Sequence, residues 1–253
     1  MASVDTFVET LNVPSADGDA SCYLARPREG AHPAVLLIPD VFGLRPQIRA
    51  MCTRIASWGY VVLAPNLLYR EHPLPLVPMM NLRDPERMAS AMRQTLAWTR
   101  ALPFADTAAD ADAWFDWLAD QPFVTGERFG VTGYCRGGML ALMIAEELGE
   151  RVAAAGIFHA AGLVTEAPDS LHLGVDRVRA ELLIRFADAD PGSPPEAQEA
   201  LAEALDAAGV RYSLSVYPDA PHGYTMADTP RFQEAAAERH YEELRELLDR
   251  TLA

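Results

Sequence analysis

The chain contains no lysine, and all 21 of its basic residues are arginine. Against them stand 36 acidic residues, which gives a formal net charge of −15 at pH 7. This excess of negative charge argues against nucleic acid or an anionic membrane surface as a partner. No apolar run approaches the ~18 residues of a membrane helix, and the first residues lack the basic and apolar regions of a secretory signal. We therefore expect no nucleic-acid partner and no membrane partner.

Cysteine is also scarce. Its three occurrences, Cys22, Cys52 and Cys135, make an odd number and lack the spacing of metal ligands. The six histidines show no ligand-like spacing either. We predict free thiols in a reducing cytoplasm, no metal site and no cofactor.

Short apolar runs alternate with helical patterns along the chain, and no internal repeat interrupts them. After an N-terminal hairpin, the predicted strands are 34–38, 60–64, 128–132, 152–158, 182–186 and 212–217. The predicted helices are 46–58, 85–102, 106–120, 139–148, 195–208 and 231–252. Alternation of this kind predicts an α/β fold, with a mostly parallel central sheet and helices on both faces. At 253 residues, one domain is expected over 1–253.

The segment 133–138 reads Gly-Tyr-Cys-Arg-Gly-Gly between a predicted strand and a predicted helix. This G-x-nucleophile-x-G pattern is typical of a nucleophile elbow, with cysteine in place of the usual serine. Glycine at 133 and 137 relieves crowding around a sharp turn. Cys135 then lies at a helix N-terminus, which favours the thiolate form. The sequence therefore predicts a cysteine nucleophile.

A cysteine nucleophile needs a base, and the base needs an orienting acid. Asp188 and Asp190 follow the strand at 182–186, and His222 follows the strand at 212–217. The order nucleophile, acid, histidine is the order found in α/β-hydrolases. Loop geometry leaves either aspartate open as the acid.

The chain as a whole resembles the dienelactone hydrolase family. The shared features are the elbow at 133–138, Asp40-Val41-Phe42-Gly43 after the strand at 34–38, Asp190 followed by Pro194, and His222-Gly223-Tyr224. The resemblance covers roughly residues 5–250 and implies an α/β-hydrolase fold with Cys135 as nucleophile, Asp190 as acid and His222 as base. It also implies that the backbone N–H groups of Val41 and Arg136 hold the oxyanion.

The sequence departs from the family at two places, one that concerns the thiol and one that concerns the substrate. The family commonly has glutamate at the position of Asp40, where it holds the resting thiol and helps to deprotonate it. Asp40 is expected to take this role with a side chain one methylene shorter. The family also places an arginine for the substrate carboxylate shortly after the histidine, and 223–226 contain none.

Other residues are therefore candidates for contact with the substrate. Arg70, Tyr134 and His159 are the predicted substrate-binding residues, and Arg87, Arg93 and Arg136 are further sources of positive charge. The apolar residues of 74–77 with Met79 and Met80 are a candidate pocket wall.

The function that follows is hydrolysis of a small ester or lactone, of the carboxymethylenebutenolidase type, through a cysteine acyl-enzyme. A general carboxylesterase or thioesterase and a non-catalytic binding protein of the same fold are the alternatives. The expected partner is a small-molecule ester or lactone substrate. The chain itself is expected to be a monomer or a small homo-oligomer.

Overall fold

The computed structural model describes residues 4–72, 82–188 and 190–252. The predicted pocket wall at 74–77 with Met79 and Met80 lies outside these residues. The eight strands are β1 (Thr6–Ser15), β2 (Gly18–Pro27), β3 (Ala34–Ile38), β4 (Val61–Pro65), β5 (Phe129–Tyr134), β6 (Val152–Phe158), β7 (Glu181–Ala187) and β8 (Tyr212–Tyr217). The α-helices are α1 (Pro46–Ala56), α2 (Pro85–Arg100), α3 (Phe104–Ala119), α4 (Arg136–Glu147), α5 (Pro195–Ala208) and α6 (Glu234–Thr251).

All eight strands form one sheet in the order β1-β2-β4-β3-β5-β6-β7-β8. The pairs β1–β2 and β2–β4 are antiparallel, and every pair from β4 to β8 is parallel. The predicted fold class, a mostly parallel sheet within an α/β-hydrolase fold, is confirmed. Because the parallel strands all end at one edge, the segments that follow them meet there.

Both faces of the sheet are covered by helices. In β3, Ala34, Leu36 and Ile38 pack in the core with α3, α4 and α5, whereas Val35 and Leu37 pack in the core with α1 and α6. Alternate residues of a strand point to opposite faces, so a continuous apolar run is the pattern of a strand buried on both sides. Among the described residues, no helix is long and apolar enough to cross a membrane.

The turn from β5 into α4 is the most constrained backbone near the carboxyl edge. Cys135 has φ 56° and ψ −119° and precedes the first residue of α4. A Cβ at Gly133 would lie 2.0 Å from the backbone oxygen of Gly137, and one at Gly137 would lie 2.4 Å from the backbone oxygen of Ile38. Only glycine fits at these two positions, as the sequence pattern predicted.

Gly133→Ala should therefore lower the free energy of unfolding by at least about 2 kcal/mol, because its new methyl group would meet rigid backbone. Gly209→Ala is the matched control. Gly209 has a positive φ, 66°, which disfavours alanine, but nothing lies within 4 Å of the position that a Cβ would take there, so the cost should be about 1 kcal/mol. Urea unfolding of the two variants tests the comparison. Equal losses would show that the elbow tolerates a side chain at 133.

Candidate active site

Cys135 lies where β5, β6 and α4 meet. Its backbone N–H donates to the carbonyl oxygen of Phe158 at the end of β6, at 3.0 Å. The residue is partly exposed, whereas Cys22 and Cys52 are completely buried. Burial raises the pKa of both of these other thiols, that of Cys52 to about 12. Cys135 is therefore the one thiol in the described part of the chain that combines access to solvent with a position at a helix N-terminus.

His222 lies within hydrogen-bond distance of both Cys135 and Asp190. Its Nε2 is 3.1 Å from the Sγ of Cys135, and its Nδ1 is 2.6 Å from Oδ2 of Asp190. Asp190 also accepts a hydrogen bond on Oδ1 from the backbone N–H of Gly192 at 2.9 Å. The carboxylate is thus held by its own turn on one oxygen and faces the imidazole with the other.

Asp188, the other acid that the sequence left open, has different partners. Its Oδ2 accepts from the backbone N–H of Asp219 at 2.8 Å, and its own N–H donates to the oxygen of Ala220 at 2.8 Å. These contacts join the loop after β7 to the loop after β8. Of the two aspartates, the structure brings Asp190 to His222 and gives Asp188 a role in holding the two loops together.

The electrostatics favour a protonated His222. Burial alone would lower the pKa of His222, but its hydrogen bonds to Asp190 and Cys135 outweigh burial and raise the pKa to about 10. For Asp190, burial acts to raise the pKa, and the hydrogen bonds from His222 and Gly192 reverse the direction and lower it. The three side chains can therefore hold a proton on the imidazole close to the sulfur.

Val41 and Arg136 line a cavity of about 690 Å³ together with Cys135 and His222. Arg136 is the first residue of α4, and the N–H groups of the first helical turn have no acceptor within their own helix. Val41 follows the end of β3 by three residues. Both backbone segments thus lie beside the thiol, where an oxyanion hole is needed.

Asp40 lines a small cavity together with Cys135, but its carboxylate has another partner. Its two carboxylate oxygens accept from Arg45, at 2.7 Å from Nη1 and 3.0 Å from Nη2. No hydrogen bond joins Asp40 to Cys135 among the residues that the structure describes. The partner expected for Asp40 was the thiol, and the partner found is the buried guanidinium five residues later.

The ring of His159 lies next to the ring of His222. Their ring centroids are 5.3 Å apart in an edge-on arrangement, and Nε2 of His159 is 2.8 Å from Oγ1 of Thr225. Complete burial lowers the pKa of His159 well below its usual value, and the nearby charge of His222 acts in the same direction. His159 also lines a smaller cavity, of about 30 Å³, with Cys135 and His222. It is a neutral part of the wall of the site.

Two predicted substrate-binding residues lie elsewhere. Tyr134 is the last residue of β5, and its side chain is fully buried in the core that faces α1 and α6. Arg70 forms an ion pair with buried Asp110 at 2.8 Å and lines neither cavity beside Cys135. Arg87 and Arg93 are exposed on α2 and line neither cavity. These four residues are not carried into the site.

The structure adds Arg231, which the sequence analysis missed. Arg231 lines both cavities beside Cys135 and His222. Its guanidinium makes no ion pair or hydrogen bond with any residue that the structure describes. The signal in the sequence was an arginine in the loop after His222, nine residues further on and thus beyond the spacing that we considered.

The rest of the larger cavity is mainly apolar. Met92 and Leu96 come from α2 and Met139 comes from α4. Methionine side chains adapt readily to different apolar shapes. Within the described residues, no group of three His, Cys, Asp or Glu side chains could hold a metal ion. The larger cavity thus has a deformable apolar wall together with charged groups of both signs, namely Arg136, Arg231, Asp188 and Asp190.

The eight-stranded sheet covered by helices, the cysteine at the turn from β5 into α4 and the adjacent histidine are the features of the α/β-hydrolase class. The model of the dienelactone hydrolase family matches residues 20–252. The chain belongs to this family, as the sequence motifs predicted, and it is a hydrolase of the carboxylic ester and lactone class.

Known relatives are distant in sequence but similar in length. A carboxymethylenebutenolidase of Pseudomonas sp. strain P51 is 27% identical over 238 residues, covering 90% of this chain and 89% of that protein. A Salmonella typhi protein that carries the same name by inference is 28% identical over 240 residues, covering 93% of this chain and 84% of that one. The structure of a Klebsiella pneumoniae protein assigned as a dienelactone hydrolase superposes with a TM-score of 0.83 at 22% identity, covering 97% and 99% of the two chains.

Asp190→Asn should lower kcat by at least about 100-fold, because an uncharged partner no longer fixes the tautomer of His222 or stabilises its charged form. Asp188→Asn is the matched control, since it changes one hydrogen bond between the loops after β7 and β8 and should cost about 1 kcal/mol of stability. Steady-state turnover of 4-nitrophenyl acetate and thermal unfolding measure the two effects. A larger loss of turnover from Asp188→Asn would reassign the acid.

Proposed function

We propose that this enzyme hydrolyses a small ester or lactone through a covalent thioester on Cys135. The observation that carries the proposal is the unbroken chain of contacts from Asp190 to His222 to Cys135 at the wall of a 690 Å³ cavity. A nucleophile, a base and an orienting acid in this arrangement are the elements of acyl transfer. The non-catalytic alternative is set aside, because the chain belongs to a hydrolase family.

In the first step, the sulfur of Cys135 attacks the carbonyl carbon, and the electrons of the C=O bond move onto oxygen. The backbone N–H groups of Val41 and Arg136 hold this oxyanion. As the intermediate collapses, the C–O bond breaks and the protonated His222 gives its proton to the departing alkoxide. The product is a thioester, to which the alcohol remains attached if the substrate was a lactone.

In the second step, His222 removes a proton from water, and the hydroxide attacks the thioester carbonyl. The oxyanion forms again in the same hole, and the C–S bond breaks with the electrons returning to sulfur. Asp190 stabilises the imidazolium in both half-reactions and stays ionised. The sulfur and histidine then regain their starting arrangement.

The cavity supports a substrate that carries a carboxylate. The guanidinium of Arg231 makes no hydrogen bond or ion pair with any described residue, and it lies at the wall that also contains His222. Its charge also acts to lower the pKa of Asp190. The relatives carry the name carboxymethylenebutenolidase, which denotes an enzyme that acts on a lactone with a carboxyl-bearing side group. We place the acidic group of the substrate at Arg231 and its apolar part against Met92, Leu96 and Met139.

A general carboxylesterase or thioesterase acting on neutral substrates is the second candidate. The apolar methionine wall favours it, because a neutral acyl chain would fill the same space without using Arg231. We further propose that the protein works in a reducing cytoplasm, which is consistent with three free cysteines.

Cys135→Ala should reduce ester turnover by about 10³-fold or more while leaving the fold intact, since the residue is partly exposed and little cavity is created. Cys135→Ser should retain only weak activity, because a hydroxyl ionises far less readily than a thiol. Turnover of 4-nitrophenyl acetate is measured together with the mass of the trapped acyl-enzyme. Near-wild-type turnover by Cys135→Ala would refute the mechanism.

Arg231→Gln should raise KM by roughly 10- to 100-fold for the 4-nitrophenyl monoester of succinic acid and leave KM for 4-nitrophenyl acetate unchanged, because a hydrogen-bonded charge contributes about 1.5–3 kcal/mol to binding. Arg211→Gln is the control. Arg211 is exposed and precedes β8, at the opposite edge of the sheet. If the anionic and neutral esters responded alike to Arg231→Gln, the neutral-ester candidate would be the better one.

A further inference from the structure

Arg45 lies nearly buried between two loops of the site and is held by two carboxylates. It is 8% exposed and Asp40 is 6% exposed. Its Nη1 and Nη2 donate to the two oxygens of Asp40 at 2.7 and 3.0 Å. Its Nε and Nη2 donate to the two oxygens of Asp228 at 2.6 and 3.2 Å. One guanidinium thus makes two bidentate pairs, which constrain both distance and orientation.

One side of this network is the turn at 40–43. The Oδ1 of Asp40 accepts from the backbone N–H of Phe42 at 3.0 Å, and the backbone oxygen of Asp40 accepts from Gly43 N–H at 3.0 Å. Nη1 of Arg45 also donates to the backbone oxygen of Gly43 at 3.1 Å. These bonds enclose Val41 and fix the plane of its backbone N–H group.

The other side is the segment that follows His222. Asp228 lies between Met226 and Arg231, and Nη2 of Arg45 also contacts the sulfur of Met226 at 3.3 Å. The N–H of Met226 donates to the oxygen of Gly223 at 3.0 Å, so this segment is tied back to the residue next to His222. Arg45 therefore links the turn that contains Val41 to the loop that carries the histidine.

Charged groups are an expensive way to join two loops, because each must lose its water and apolar side chains of similar volume often give equal stability. Burial acts to lower the pKa of Arg45, but Asp40 and Asp228 outweigh it and raise the pKa, so the guanidinium stays charged. Compared with apolar packing, the two bidentate ion pairs add a fixed orientation of one loop relative to the other. A fixed direction is what an oxyanion donor needs, since its effect depends on tenths of an ångström.

We propose that Arg45 is a positioning residue, which holds the Val41 turn against the histidine loop so that the oxyanion donor and His222 face the same carbonyl group. Asp40 belongs to this network and does not act on the thiol. The inference rests on the proposed function, because it assigns the Val41 N–H to the oxyanion. It predicts that disturbing Arg45 damages acyl transfer and leaves the reactivity of the sulfur unchanged.

The experiment compares Arg45→Gln, Asp228→Asn and Asp40→Asn in three assays. The first is kcat/KM for 4-nitrophenyl acetate. The second is the inhibition constant of a small trifluoromethyl ketone, whose carbonyl carbon is attacked by the Cys135 sulfur and whose oxygen becomes an oxyanion. The third is the rate of alkylation of Cys135 by iodoacetamide from pH 5 to 10, a displacement of iodide that forms no oxyanion.

For Arg45→Gln we expect at least a tenfold fall in kcat/KM, with the affinity for the ketone falling by a similar factor. The alkylation rates and their pH midpoint should stay within twofold of the wild type. Asp228→Asn should change the first two quantities in the same direction by a smaller factor. Arg49→Gln is the control, because Arg49 lies in the first turn of α1, which begins directly after Arg45, and donates to the backbone oxygen of Val8, outside the site.

Three results would overturn the proposal. The first is an unchanged kcat/KM in folded Arg45→Gln or, if that variant does not fold, in Asp228→Asn. The second is a loss of kcat/KM without a matching loss of affinity for the ketone. The third is a displaced alkylation profile in Asp40→Asn, which would return Asp40 to the role of a base for the thiol. Cys135→Ala is run in parallel, since its full turnover would instead refute the proposed function.

Discussion

The left-handed backbone conformation of Cys135 is the constraint on which the rest of the site depends. It forces the chain to turn sharply between β5 and α4, and it is possible only because Gly133 and Gly137 present no side chain to the backbone that passes within 2.0–2.4 Å of their Cβ positions. The turn sets the sulfur at the head of α4 and beside the loops that follow β7 and β8. The histidine, its acid and the Val41 turn can reach one carbonyl group only because the nucleophile is fixed there first.

The loops around this fixed point are held to one another by polar contacts. Asp188 joins the β7 loop to the β8 loop through Asp219 and Ala220, and Arg45 joins the β8 loop to the turn after β3. Loops have little apolar surface to bury, so directed hydrogen bonds are the means available to fix their relative positions. The apolar core of the sheet thus supports the strand ends, and ion pairs among the loops set the finer geometry.

Much of the fold could be predicted from the sequence, and the site only in part. The strands at 34–38, 152–158 and 212–217 and the helix at 195–208 agree with the structure residue for residue, because apolar runs and punctuating prolines and glycines are local signals. Motif and order predicted Cys135 and His222, whereas Asp190 was preferred to Asp188 only through the resemblance to the family. Ion pairs between residues that are distant in sequence were not predicted, because no sequence pattern indicates that Arg70 pairs with Asp110 or that Arg45 pairs with Asp228. Tyr134 was predicted to bind substrate, but as the last residue of β5 its side chain lies in the core that faces α1 and α6.

The absence of lysine gives the surface of this protein an unusual chemistry. Activated esters and other acyl donors modify most proteins at many amino groups at once, whereas this chain offers no side-chain amine. Guanidinium groups stay protonated and react poorly with such reagents. Of the three thiols, two are fully buried. Cys135 should therefore be the main side chain that an acyl reagent modifies. A substrate-like acyl probe would then report occupancy of the site, with little background from acylation elsewhere on the intact protein, even at high concentration.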